Sequence, residues 1–217
     1  MWRSFWRLTL FLVLGAAYLW LGHLGSISAN PPAICLLTGI LPLWAVAVAL
    51  AWHTRPRWLW LTLLALATLA LLLRLDLLRQ NTAWVFFIQH AGTHALLGLS
   101  FGRTLFAGHE HALCSRIARI SHGELSPRME HYTWQVTLAW TIYFFAAALC
   151  SLGLFALAPL EIWSVFANLL TAPLIGAMFL IEYLVRRKVF PNERHIGILG
   201  TIQAYRSYSR SETKPHS

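Results

Sequence analysis

The chain has 217 residues, of which 58% are hydrophobic and only 12% are charged, and its formal net charge is +9. A soluble domain carries about 25% charged residues, so this chain has too few polar groups to cover a surface that faces water. The composition therefore predicts one compact domain that sits in lipid, and the lack of a basic, polar domain argues against nucleic-acid binding.

About six apolar segments are long enough, or nearly so, to cross a hydrocarbon core that needs roughly 20 helical residues. They predict an all-α, polytopic transmembrane helical bundle within residues 1–190. The predicted spans run over about 8–25, 33–52, 58–75, 84–102, 134–158 and 164–185. The first span has an alternative interpretation as a cleavable signal peptide that ends near Ser26-Ile27-Ser28.

Charge asymmetry predicts the orientation of these spans. The connections at 26–32 and 159–163 contain no Lys or Arg. If the N-terminus is cytoplasmic, all but two of the 17 basic residues fall on the cytoplasmic side, as the positive-inside rule requires. The fourth span is the most polar, but without it the C-terminal basic cluster would lie on the opposite side from the N-terminus. We therefore expect six spans with both termini inside, followed by a basic cytoplasmic tail at 191–217 whose end is disordered.

Two further features mark the membrane boundaries. Tryptophans recur near the predicted span ends, where an amphipathic ring is stable: Trp2, Trp6, Trp52, Trp58, Trp84, Trp134 and Trp163. Basic residues next to the spans are candidates for binding lipid headgroups or a partner: Arg103, Arg116, Arg119, Arg128, Arg186, Arg187 and Lys188.

The longest connection, 103–133, predicts structure of its own. Residues 112–121 have the pattern of a short amphipathic helix that lies in the membrane interface. Gly123 is a typical helix stop, and Ser126-Pro127 is a typical start for the helix that becomes the fifth span.

Histidines are the candidate metal ligands. His90 and His94 are four residues apart and share one face of the fourth span. His109 and His111 follow in the adjoining loop, and clustered imidazoles bind zinc, iron or copper. The alternative is a polar helix face buried between helices, with loop histidines facing headgroups. Membrane di-iron enzymes use boxes of adjacent histidines, which this chain lacks, so no cofactor is favoured.

Glu182 is the remaining candidate for chemistry, together with His90 and His94. It precedes Arg186 by four residues, which predicts an ion pair along the helix, while a proton-handling acid is the functional alternative. Cys114 lies near His111, but a nucleophilic thiol needs an activating base and an oxyanion site, and the sequence indicates neither. No phosphate-binding loop, nucleophile elbow or HExxH motif is present.

Five segments carry a resemblance to a known family. They are FFIQHAGTHALLGLSFGRTL (86–105), ISHGELSP (120–127), YTWQVTLAWTIYFF (132–145), WSVFANLLTAPLIGAMFLIEYLVRR (163–187) and IQAYR (202–206). Together they resemble a family of bacterial inner-membrane proteins from gene clusters for aryl-polyene or xanthomonadin-type pigments. Some members carry the label "ketosynthase", but a condensing enzyme is a soluble thiolase-like domain, and this chain has no room for one.

The resemblance implies a setting in fatty-acid or polyketide-like biosynthesis and leaves three functions open. The first is a non-catalytic component that organises enzymes dependent on an acyl carrier protein, since acidic carriers are attracted to a basic face such as 103–133 and 186–210. The second is a transporter or flippase subunit for the lipid-like product. The third is a membrane enzyme that acts on acyl chains through a histidine-rich site on the cytoplasmic side.

Overall fold

The computed structural model describes residues 2–28 and 31–191. Across these residues the secondary structure is helical and contains no strand, which confirms the predicted all-α class. The predicted basic tail beyond Pro191, including the IQAYR segment, lies outside the described residues.

The described residues form nine α-helices, one 3-10 turn and one π-helical segment. In chain order they are α1 (Trp2–Ile27), α2 (Ala33–His53), α3 (Arg57–Leu73), α4 (Leu75–Gln80), α5 (Thr82–Leu105), the 3-10 turn His109–His111, α6 (Leu113–His122), α7 (Pro127–Leu157), α8 (Leu160–Ser164), the π-helical segment Val165–Leu170 and α9 (Thr171–Val189). The last three run without a break from Leu160 to Val189 and are called the last helix below.

Four helical stretches in the described part of the chain are long and apolar enough to cross a membrane. They are Thr9–Ile27, Ile34–His53, Pro127–Leu157 and Leu160–Val189. They correspond to the first, second, fifth and sixth predicted spans. The third is the apolar helix α3, which is shorter at 17 residues and is followed closely by α4. The fourth is α5, which has 24 residues but a more polar composition.

The predicted boundaries in the 103–133 connection are confirmed. A short helix, α6, ends at Gly123, whose φ of 76° suits glycine and whose N–H donates to the Arg119 carbonyl at 2.9 Å. Helix α7 begins at Pro127, and the Ser126 hydroxyl accepts a hydrogen bond from the Met129 N–H at 3.3 Å.

The last helix changes its winding before Pro173. Residues Val165–Leu170 form π-helical turns. The Thr171 hydroxyl donates to the carbonyls of Phe166 at 3.1 Å and Ala167 at 3.0 Å. Pro173 supplies no backbone N–H to the turn before it, and a threonine hydroxyl that bonds to the carbonyl four residues back bends a helix. Both residues therefore favour the altered winding.

Unit 1 of the two compact units comprises Met1–Thr93 and Ala148–Leu174. Its buried cluster contains Phe86, Trp163 and Ala167, with Phe87, Leu154 and Phe155 packed against it. Trp163 was expected at a membrane boundary, but its ring is fully buried and its indole N–H donates to the Ser151 hydroxyl at 3.0 Å. A buried indole needs a polar partner, and Ser151 supplies one in the interior.

Unit 2 comprises His94–Ala147 and Ile175–Ser217. Its buried cluster consists of Met129, Tyr132 and Phe190, with Leu125, Val136 and Val189 packed against it. This cluster lies where the start of α7 meets the end of the last helix.

Candidate functional site

Buried and half-buried polar side chains join three helices of unit 1. This group, called the polar seam, consists of His23 and Ser26 on α1, His90 on α5, and Ser164, Asn168 and Thr171 on the last helix. Such groups are costly in a membrane-spanning helix unless they find partners, so their contacts decide their role.

The contacts of the seam are hydrogen bonds among hydroxyl, amide and imidazole groups. The His23 Nδ1 atom lies 2.8 Å from the Ser164 hydroxyl. The Asn168 amide donates to the hydroxyls of Ser164 at 3.1 Å and Ser26 at 3.2 Å. Glycine makes this approach possible, because a Cβ atom on Gly22 would lie 2.7 Å from Asn168 Oδ1.

A serine beside a histidine is also the arrangement of an activated nucleophile. Ser164, however, is fully buried, and the third group of the network is the amide of Asn168 rather than an acid. The seam as it stands therefore links helices. The sequence interpretation missed His23 and Ser26, and the only signal available was the presence of polar residues inside an apolar helix.

The two histidines of α5 have different surroundings. His90 belongs to the seam, where its Nε2 atom lies 2.9 Å from the Thr171 hydroxyl and its ring lies 5.6 Å from the Phe166 ring. His94 belongs to unit 2, where its ring lies 6.0 Å from Phe144 and 6.4 Å from Tyr143. Both side chains are buried, which fits the interpretation as polar positions between helices.

One end of unit 2, called the cationic end, gathers the end of α5, the 3-10 turn, α6, the first turns of α7 and the end of the last helix. Three contacts join these elements: the Trp134 indole N–H to the Leu105 carbonyl at 3.2 Å, the hydroxyls of Ser115 and Thr133 at 2.6 Å, and Arg128 Nη2 to the Val189 carbonyl at 3.3 Å. The seven predicted headgroup- or partner-binding cations all lie on this end.

Those seven cations divide by burial. Arg119 and Arg186 are half-buried and form ion pairs, Arg119 with Glu130 at 2.5 Å and Arg186 with Glu182 at 3.4 Å. The other five are exposed and form no ion pair with any acid in the described part of the chain: Arg103, Arg116, Arg128, Arg187 and Lys188. The sequence pattern did not distinguish the internal pairs from the exposed cations.

Aromatic rings support two of the exposed guanidinium groups. Arg128 lies over the Phe190 ring, 5.3 Å from its centroid, and Arg187 lies over the Tyr183 ring at 5.7 Å. A cation held over a ring keeps its charge at the surface while its stem packs against apolar groups.

The predicted ion pair between Glu182 and Arg186 is confirmed. The same carboxylate accepts a hydrogen bond from the Tyr132 hydroxyl at 3.4 Å. These contacts favour a structural role in joining α7 to the last helix, while a proton-handling role for Glu182 stays a prediction.

Cys114 is held at the start of α6 by its backbone N–H, which donates to the Thr137 hydroxyl at 3.1 Å. Burial raises the pKa of the Cys114 thiol above its usual range. The thiolate is the nucleophilic form, so this environment agrees with the view that Cys114 is not an activated nucleophile.

The loop histidines pair in a way that the sequence spacing did not indicate. His109 Nε2 lies 3.2 Å from Nδ1 of His131 on α7. His111 Nδ1 instead lies 3.3 Å from the Glu110 carboxylate oxygen Oε1. Within residues 2–28 and 31–191, no group of three or more His, Cys, Asp or Glu side chains has the geometry to hold a metal ion. The structure does not gather the four predicted histidine ligands into one set.

Over residues 2–28 and 31–191 the fold is all-helical, and four of these helices are suited to crossing a membrane. Comparison of the chain with protein-family models, with curated proteins and with solved structures found no significant match. A function is therefore inferred from the residues and contacts described above.

Proposed function

We propose that this chain is a multi-pass protein of the bacterial inner membrane with about six spans and both termini in the cytoplasm. Four helices already have the length and composition of spans. Helix α5 supports a further crossing, because it buries His90 and His94 and leaves Ile88, Leu96 and Leu99 exposed. That distribution suits a helix with lipid on one face and protein on the other.

The proposed function is to organise enzymes that depend on an acyl carrier protein at the membrane surface, in a fatty-acid or polyketide-like pathway of the aryl-polyene type. The observation that carries it is the set of five exposed cations on the cationic end that lack acidic partners in the described residues. Acyl carrier proteins are acidic, and complementary charge steers such partners to a surface.

The internal ion pairs explain why these five cations stay without acidic partners. Arg119 is paired with Glu130 across α6 and α7 and lies 3.8 Å from Glu110, while Arg186 is paired with Glu182 on its own helix. These three acids are engaged within the cationic end, and Glu124 stays exposed beside the five exposed cations. The remaining surface keeps an excess of positive charge. The resemblance to pigment-cluster membrane proteins supplies the kind of acidic partner.

A binding measurement tests the proposal. The full chain is placed in nanodiscs of uncharged lipid, and its affinity for a purified acidic acyl carrier protein is measured at low and high salt. We expect binding that weakens with salt and falls at least tenfold in the variant Arg103→Gln/Arg116→Gln/Arg128→Gln. The matched control is Arg55→Gln/Arg57→Gln/Arg74→Gln, which removes three exposed cations from unit 1. Equal affinity in the two variants contradicts the proposal.

The polar seam favours one second candidate, a transporter or flippase subunit for the lipid-like product. Polar side chains inside membrane helices often mark a pathway. Deletion of the gene then leaves the finished product in the inner membrane, whereas loss of an organising component reduces its synthesis. Mass spectrometry of separated membrane fractions distinguishes the two outcomes.

A further inference from the structure

We propose that His109 and His131 form a binding site for one divalent transition-metal ion, with zinc and copper as the expected ions. The proposal is independent of carrier docking and rests on the geometry of the two imidazole rings. It differs from the sequence prediction, which grouped His109 with His90, His94 and His111.

The distance between the two ring nitrogens matches shared coordination. His109 Nε2 and His131 Nδ1 lie 3.2 Å apart. Imidazole nitrogens bind zinc at about 2.0–2.1 Å in tetrahedral geometry, which places two such ligands about 3.3 Å from each other. The separation therefore already matches that of two ligands on one ion, and rotation of the two rings turns both lone pairs toward it.

Both histidines are positioned by rigid neighbours. His109 follows Gly108, whose φ of 99° makes the turn, and its carbonyl accepts a hydrogen bond from the buried Ser115 hydroxyl at 2.7 Å. His131 lies in the second turn of α7. The Trp134 ring lies 5.3 Å from His109 and stacks against His131 at 6.4 Å. Ligands held in this way are pre-organised for binding.

Gln135 lies beside the outer nitrogen of His131. Its amide nitrogen is placed 3.2 Å from His131 Nε2. The oxygen and nitrogen of such an amide exchange places by a simple flip, so the oxygen is able to accept the Nε2–H. The proton then resides on Nε2 and the lone pair on Nδ1 faces His109, which is the outer-shell arrangement typical of metal-binding histidines.

The surroundings predict an open site. Both imidazoles are exposed, and the described residues supply no third His, Cys, Asp or Glu ligand in a metal-binding group. Water completes the coordination, and the ion exchanges freely with solvent. Glu110 and Glu130 adjoin the two histidines in sequence and offset part of the local positive charge. The other possible state is a neutral histidine pair joined by a hydrogen bond, and metal titration separates the two.

The experiment uses the full chain, purified without a polyhistidine tag, in uncharged detergent. Calorimetric titration with Zn²⁺ is expected to give one ion per chain. Copper(II) electron paramagnetic resonance is expected to show hyperfine structure from two imidazole nitrogens. His109→Ala and His131→Ala each lower the affinity at least tenfold, and Gln135→Leu lowers it severalfold.

The matched control is His111→Ala, an exposed histidine of the same turn that faces Glu110 instead. It is expected to bind zinc as the unaltered chain does. Helicity by circular dichroism confirms that each variant is folded, and His109→Gln repeats the test with a side chain that keeps polarity but binds zinc weakly. Absence of binding by the unaltered chain, or equal loss in the His111 and His109 variants, overturns the proposal.

Discussion

Polar residues have opposite surroundings in the polar seam of unit 1 and at the cationic end of unit 2. In the seam, hydroxyl, amide and imidazole groups are buried or half-buried and bond to each other, as between Asn168 and Ser164. At the cationic end, only the half-buried Arg119 and Arg186 have acidic partners, and the exposed cations have none in the described chain. Buried polar groups need partners, whereas exposed charges remain available to another molecule. The comparison indicates a helix-packing role for the seam, and partner binding at the cationic end is our proposal.

The largest expected effect comes from the glycine contacts that bring α1 into close packing in unit 1. A Cβ atom on Gly25 would lie 2.8 Å from the Cys35 Cβ atom, whereas nothing lies within 4 Å of the Cβ position on Gly15. We expect Gly25→Ala to lower the free energy of unfolding by about 1–3 kcal/mol through overpacking. Gly15→Ala, in the same helix, is expected to be neutral or to stabilise by about 0.5–1 kcal/mol. Thermal unfolding in detergent measures both, and equal stability of the two variants argues against the close packing.

The next effect concerns the hydrogen bonds of the seam. Asn168→Leu removes the donor to Ser26 and Ser164, and we expect a loss of about 1–2 kcal/mol in stability. A double-mutant cycle with Ser26→Ala isolates the bond between the two side chains. Additive losses in this cycle contradict the contact. Carrier binding is expected to stay unchanged in all three variants, because the cationic end is intact.

A smaller effect separates two arginines of the same short helix. Arg119→Gln removes the ion pair to Glu130 and is expected to cost up to about 1 kcal/mol, since the pair is partly exposed. Arg116→Gln is expected to leave stability unchanged and to weaken carrier binding. Unfolding and binding measurements on both variants test the division between paired and unpaired cations. The division between paired and unpaired cations fails if Arg116→Gln destabilises the protein as much as Arg119→Gln.

The smallest effect is kinetic and concerns Cys114. Burial raises the pKa of this thiol, so its thiolate fraction at neutral pH is below that of an ordinary cysteine and increases only at higher pH. In a variant that lacks Cys35 and Cys150, we expect slow maleimide labelling at pH 7 and faster labelling as the pH rises. The same variant in denaturant supplies the reference rate. Labelling at the reference rate at pH 7 argues against the buried setting.

Local features of the chain were predictable from its sequence. The all-helical class followed from apolar segments long enough to cross a membrane. The end of α6 followed from Gly123 and the start of α7 from Ser126-Pro127, because capping depends on adjacent residues. The Glu182–Arg186 pair followed from helical spacing.

Contacts between distant parts of the chain were not predictable in the same way. His23 and Ser164 are 141 residues apart, and His109 and His131 are 22 apart. Such pairs depend on how helices pack, and no local sequence pattern indicates them. Trp163 shows the same limit, because its ring packs in a cluster with the distant Phe86 and its indole N–H bonds to Ser151.

Site-specific photo-crosslinking in living cells shows whether the cationic end meets an acyl carrier protein. A photoreactive amino acid replaces Arg116 on the cationic end or, as the control, Arg74, which is equally exposed but belongs to unit 1 and to a connection proposed to face outward. The account predicts an adduct with an acyl carrier protein, identified by mass spectrometry, from position 116 and none from position 74. Carrier adducts from both positions, or from neither, contradict it.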